Sequence, residues 1–243
     1  MKRFIAIILS MILVFTMVPV VSLSAFADYL PDEDFTFEDG VLTIRDGVTE
    51  IPQYAFCMDD EIVSVVIPNT VEIIRVGAFS DCVSLTSVNI PDSVKVIELN
   101  AFEGCTSLES VVVGNGVESI GTCAFADDSA LVNLTLGSSL KTIGDYAFSS
   151  CSSLVSVTIP ESVETFGYGP FDDCTSLSSF YVPKNVTNMR SDVVDGCTNV
   201  TAITVDKDNQ SYTSIDGVLY TKDAKTLMRV PEGRTGSFTI PNG

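Results

Sequence analysis

The sequence predicts a β-rich solenoid of about seven 23-residue coils, with a parallel sheet on one wall and short helical or 3-10 turns on the opposite wall. Three observations predict it. The dipeptide Ala-Phe recurs at Ala55-Phe56, Ala78-Phe79, Ala101-Phe102, Ala124-Phe125 and Ala147-Phe148, 23 residues apart each time. The same count lands next on Phe171 and Val194, so seven units hold register with no insertion or deletion. Apolar columns follow each Phe at offsets of six, nine and eleven, as in Leu108, Val111 and Val113 after Phe102, giving the spacing L-x-x-L-x-L.

The last four residues of that spacing alternate apolar with polar, the period of a strand buried on one face. A second pair of columns, such as Val94 with Ile97 or Val117 with Ile120, points inward from the opposite wall. A single coil cannot bury these columns. Stacked coils bury them against each other and pair their strands into one parallel sheet. In the Ala-Phe turn, small Ala lets the backbone approach while Phe plugs the interior.

The unit I-P-x-S-V-x-x-I-x-x-x-A-F-x-x-C-x-S-L-x-S-V, which Ile90 to Val111 matches residue by residue, resembles the BspA-like leucine-rich-repeat family. The resemblance covers about Val41 to Val205. It implies a right-handed leucine-rich-repeat solenoid of the α/β class, richer in β than the usual horseshoe. It also implies a secreted or cell-surface protein of a bacterium or parasitic protist, similar to adhesins that bind host matrix proteins or other cells.

Four segments are expected. Residues 1–27 read as a secretory leader, with Lys2 and Arg3 before an apolar run and Ala25-Phe26-Ala27 as the cleavage site; a retained anchor is the alternative. Residues 28–50 read as an N-terminal cap, with Phe35 to Ile44 alternating around Asp39-Gly40. Residues 51–205 hold the repeats. Residues 206–243 read as a polar loop, a hairpin of Gly217–Tyr220 with Thr226–Val230, and the start of a possible further coil at Thr239.

The chain carries 13 basic and 32 acidic residues, a net charge of −19. Nucleic acid is excluded as a partner, because phosphate neutralisation needs clustered Lys and Arg. No span after the leader is apolar enough to insert in a membrane. There is no histidine, which removes the commonest general base and the His-ligated metal sites. No enzyme activity, cofactor or metal is expected. The acid pairs Asp127-Asp128 and Asp172-Asp173 read as solvated turns beside Asp81, Glu103 and Asp195, since nothing builds a pocket around them.

Five of seven cysteines, Cys82, Cys105, Cys151, Cys174 and Cys197, fall three residues after the Phe column. They read as a ladder of small buried thiols, with Asp59 and Asp128 filling the column in other coils; Cys57 and Cys123 lie off it. The binding candidate is the outward face of the sheet: Ser87, Asn89, Ser110, Asn133, Thr135, Ser156, Thr158, Ser179 and Tyr181. This face is small, hydroxyl-rich and nearly uncharged, with Tyr181 its one aromatic. A host matrix or cell-surface protein leads as partner; a glycan-binding accessory factor or a structural spacer array is the alternative. Four Asn-x-Ser/Thr sequons stand at Asn133, Asn185, Asn199 and Asn209.

Overall fold

The computed structural model describes residues 30–240, so the expected leader over 1–27 lies outside the described residues, as do the last three. The chain opens with an antiparallel hairpin, β1 (Phe35–Glu38) and β2 (Val41–Ile44). Asp39 and Gly40 turn it with φ of 47° and 81°, the left-handed pair that a two-residue hairpin turn requires. Phe35 closes the end of the core, its ring perpendicular to that of Phe56 with centroids 5.5 Å apart.

From β2 onward the 23-residue register becomes parallel pairing. β2, β4 (Ser64–Val66), β6 (Ser87–Ile90), β8 (Ser110–Val113) and β10 (Asn133–Thr135) follow one another in a six-stranded sheet that β1 completes. The registers match residue to residue, Ser64 with Ser87, Ser87 with Ser110 and Ser110 with Asn133.

The opposite wall is itself a parallel sheet, not a wall of helical turns. It consists of two-residue strands: β3 (Glu50–Ile51), β5 (Ile73–Ile74), β7 (Val96–Ile97), β9 (Ser119–Ile120), β11 (Thr142–Ile143) and β12 (Thr165–Phe166). The turns occupy a third wall, at the Ala-Phe step. Helix does not propagate there because left-handed residues stand on both sides of each Phe: Gly77 and Asp81 around Phe79, Asn100 and Gly104 around Phe102, Cys123 and Asp127 around Phe125.

The third wall has its own hydrogen-bond ladder. From Phe56 to Phe148 each Phe N–H donates to the carbonyl just before the Phe of the next coil, as Phe79 to Ala101 and Phe102 to Ala124, both 2.8 Å. Two residues on, Asp81 donates to Glu103 at 2.7 Å and Asp173 to Asp195 at 2.8 Å. At the last coil Gly196 has no further coil to meet. Its N–H donates instead to the Glu232 carboxylate at 3.2 Å, which Arg229 holds at 2.6 Å.

Inside, the Phe column stacks. Phe56, Phe79, Phe102, Phe125, Phe148 and Phe171 follow one another with centroids 5.1–5.4 Å apart and rings within 15° of parallel. Small Ala78, Ala101, Ala124 and Ala147 are fully buried beside them.

The long sheet, expected to cross every coil, parts at the fifth. Residues 156–159 form no strand, and beyond them a separate two-stranded sheet pairs β13 (Phe180–Val182) with β14 (Ile203–Val205). Core filling changes at this point. Phe180 replaces the Val or Leu of the earlier coils, and its ring wedges against Phe166 and Phe171 at 5.9 and 5.5 Å. A ring is wider than a Val side chain, so this wall spreads while the opposite sheet runs on to β12.

The C-terminal segment is a three-stranded antiparallel meander, β15 (Tyr212–Ile215), β16 (Val218–Thr221) and β17 (Leu227–Arg229). The expected hairpin is β16 with β17. β15 was not expected, although Asp216-Gly217 makes the same left-handed turn as Asp39-Gly40, with φ of 51° and 77°. The Tyr212 hydroxyl accepts the Met189 N–H at 2.8 Å and donates to the Met189 carbonyl at 3.1 Å, tying the meander to the last coil. Asn209 is fully buried and donates to the Pro183 and Val186 carbonyls at 2.7 and 3.0 Å, which closes its sequon to modification of the folded chain.

Truncating a ring mid-column removes contacts on both sides. Phe102→Ala is expected to cost about 3–5 kcal/mol, measured as a loss in the free energy of urea unfolding; a cost below about 1 kcal/mol would show that the column is not what holds the coils.

Candidate functional site

From β2 to β10 the outward face of the sheet carries two rows set by register, with Glu38 of β1 beside Val41 at the edge. One runs Val41, Ser64, Ser87, Ser110, Asn133; the other runs Thr43, Val66, Asn89, Val112, Thr135. Alternation puts the partners of these residues, such as Val88, Ile90, Val111 and Val113, into the core. The exposed rows are neutral, built from valines, hydroxyl side chains and two asparagines. Val66 and Val112 are 52% and 41% exposed, large values for valine in the middle of a sheet.

At the C-terminal ends of β6, β8 and β10 lies a groove of about 410 Å³, bordered by Asn89, Pro91, Asp92, Val112, Asn115 and Thr135. A second hollow, bordered by Thr43, Arg45, Asp46, Val66, Pro68 and Asn69, shares Ile67 and Asn69 with it and extends it toward β2. Gly114 and Gly137 make the floor. A Cβ on Gly114 would stand 2.6 Å from the Pro91 backbone, so only glycine lets these coils approach. One rim is a ladder of side-chain acceptors. Asp92 Oδ1 takes the Asn115 N–H at 2.6 Å, and Asn115 Oδ1 takes the Ser138 N–H at 3.1 Å.

The structure therefore brings Ser87, Asn89, Ser110, Asn133 and Thr135 onto one continuous surface, with Ser110 half-buried and the others exposed. Ser156 and Thr158 are exposed but belong to no strand, and Ser179 precedes β13. Tyr181 lies on the separate two-stranded sheet. Its hydroxyl donates to Asp206 Oδ2 at 2.8 Å, with Glu161 Oε1 at 3.4 Å. Burial, this bond and the Glu161 charge push the phenol pKa up. Tyr181 is thus a half-buried, tethered ring. The sequence offered no signal for the groove except Gly114 and Gly137 standing where Pro68 and Pro91 stand in earlier coils.

The cysteine column is fully buried, and each thiol donates to the carbonyl of the Phe one coil back: Cys82 to Phe56, Cys105 to Phe79, Cys151 to Phe125, Cys174 to Phe148 and Cys197 to Phe171, all at 3.0–3.2 Å. All five are free. Burial pushes the Cys82, Cys105 and Cys151 thiols up. For Cys174 the Cys197 hydrogen bond leads, with burial behind it. Cys57 is also held up, to about 11, by burial and then by the Asp81 charge. Among the described residues no cluster could hold a metal ion.

Asp128 corrects the expectation of a solvated acid pair. Asp127 is exposed, but Asp128 is fully buried in the thiol column and neither oxygen has a hydrogen-bond partner. Burial holds its carboxyl well above the usual range, and the Asp127 and Glu103 charges add to this.

A family model described as a BspA type leucine rich repeat region matches in six copies, over residues 33–129 and 97–217. The chain belongs to the BspA-type leucine-rich-repeat family. A T. pallidum leucine-rich repeat protein of known structure is similar at 31% identity, with a TM-score of 0.59, over 72% of this chain and 81% of that one. A Bacteroides ovatus leucine-rich repeat protein is 28% identical, with a TM-score of 0.60, over 78% of this chain and 53% of that one. A leucine rich cell surface protein from Faecalibacterium prausnitzii is 27% identical, with a TM-score of 0.57, over 94% of this chain and 66% of that one. The chain thus spans about half the length of the Bacteroides protein. No curated protein matches. Among the described residues of this BspA-type chain, no helix is long and apolar enough to cross a membrane.

Two tests bear on the column. Asp128→Cys supplies the thiol donor used in neighbouring coils and is expected to stabilise the fold by about 1–3 kcal/mol at neutral pH. The folded pKa is raised, so any stability Asp128 allows is present below its unfolded value and is lost as pH rises through the folded one. The gap in melting temperature between variant and parent should widen as pH rises above about 4; a constant gap would contradict this. In the second test, maleimide at neutral pH should label neither Cys57 nor the five column thiols until urea unfolds the chain.

Proposed function

We propose that this BspA-type chain is a non-catalytic, extracellular protein-binding module that grips an extended segment of its partner along the six-stranded face. The observation that carries the proposal is the neutrality of the two exposed rows in a protein of net charge −19. A partner strand laid over Val66, Asn89, Val112 and Thr135 covers apolar and hydroxyl groups without stripping water from a charge, the composition found at interface cores. The adjoining groove offers Asp92 and Asn115 as polar anchors at its rim. The F. prausnitzii relative is a cell surface protein, which supports a role outside the cell.

The test is binding of the purified chain to arrayed extracellular-matrix proteins. Paired substitution Val66→Lys and Val112→Lys places two charges on the face and is expected to weaken binding at least tenfold, about 1.4 kcal/mol, with an unchanged melting temperature. Ser156→Arg and Tyr181→Ala lie beyond the break and should matter less. Binding indifferent to the valine pair would remove the sheet face from the mechanism, and no binding to any matrix protein would favour a spacer array.

A further inference from the structure

The third wall carries exposed aromatic residues that the sheet-face proposal does not use. Tyr146 and Tyr168 are 43% and 46% exposed and sit in adjacent coils, the Tyr146 N–H donating to the Tyr168 carbonyl at 2.7 Å. The Tyr146 ring lies over Gly169, where a Cβ would come within 3.0 Å of it. The Arg190 guanidinium, one coil further, covers a face of Tyr168 at 4.2 Å from the centroid. Arg190 Nε also reaches Asp192 Oδ2 at 3.4 Å, and the other Asp192 oxygen is buried with no partner. Asp145 borders the pair, its Oδ1 accepting the Tyr168 N–H at 2.8 Å.

The position of Tyr146 is unusual for stability. Its φ is 54°, a left-handed conformation that disfavours a bulky residue. The same column holds Tyr54, Gly77, Asn100, Cys123 and Gly169 in other coils, so the turn tolerates a ring but does not require one. Exposed rings, a guanidinium and carboxylates run along the solenoid axis over three coils, about 10 Å at the strand spacing.

We infer that Tyr146, Tyr168 and Arg190 form a site for an uncharged glycan chain lying along the axis, with sugar C–H faces stacked on the rings and hydroxyls bonded to Arg190, Asp145 and Asp192. Charge and size favour this ligand class. A polyanion is repelled by the net charge of −19. A cationic ligand meets Arg190, already seated on one ring. A protein interface needs about 800 Å² per side and few charges at its centre, whereas this patch is three side chains wide and bordered by carboxylates. The site is on a different wall from the six-stranded face and does not depend on the proposal made for that face.

The test is affinity electrophoresis of the chain through gels containing laminarin, mannan, dextran or chitin oligosaccharides, at low and high salt. Tyr146→Asn and Tyr168→Thr each place the residue found in the same column of another coil, Asn100 and Thr122, and should preserve the melting temperature. Tyr54→Asn is the control, since Tyr54 is equally exposed and left-handed but lies four coils from Tyr146. Salt-insensitive retention on at least one glycan, lost tenfold or more in either site variant and kept in the control, is the expected result. No retention on any of these glycans overturns the inference, as does retention that all variants share. Binding of a basic protein that the site variants abolish, without glycan retention, also overturns it and makes the patch a protein contact.

Discussion

The stacked phenylalanine column is the constraint from which the rest of the molecule follows. Six rings in near-parallel offset stacks place each Phe directly over the last, so every coil must spend the same 23 residues between them. One residue more or fewer would turn the next strand inside out, because side chains alternate across a strand. The columns of Leu, Val and Ile inherit their alignment from this register, and so do the matched rows on the exposed face. The buried alanines keep the backbone close enough for the third-wall hydrogen bonds, and the thiols fill the remaining corner while satisfying a Phe carbonyl.

That register was legible because it repeats, and features that do not repeat were not. The parallel strands, the Phe column and the buried cysteines follow from spacing alone. The two-residue strands of the second sheet escaped because each holds a single inward residue, such as Ile74 or Ile97, too short a run to show a strand period. The break after β10 depends on the volume of Phe180, which in a pattern of apolar letters is indistinguishable from Val. Asp128 stands in the column of buried thiols and also beside the exposed Asp127, and the letters of the sequence do not choose between a buried and a solvated carboxyl. Tyr146 faces outward through a left-handed backbone that Tyr rarely adopts, a conformation its letter in the sequence does not suggest. The cap on Gly196 comes from Glu232, far along the chain and beyond the last coil.

Charge is distributed by wall. The exposed rows from β2 to β10 bear none, while the third wall concentrates carboxylates in successive coils. There, burial raises the Glu103 and Asp172 carboxyls, assisted by Asp81 and Asp127 in one case and by Asp173 and Asp195 in the other. Repeating a coil multiplies whatever sits at its corners. A neutral strip and an acidic ridge are therefore both products of duplication, and they leave one surface fit for close contact and another that holds partners of like charge away.

The third-wall ladder is directional: every N–H in it points toward the following coil and every acceptor carbonyl toward the preceding one. The two ends of the rod are consequently unlike. The leading end presents oxygens and the trailing end presents amide hydrogens, which is why a carboxylate from Glu232 closes the latter and would be repelled at the former. Coils of this type can be joined only nose to tail, so a longer rod grows with a fixed sense, and a terminal piece transplanted to the wrong end would meet acceptors with acceptors.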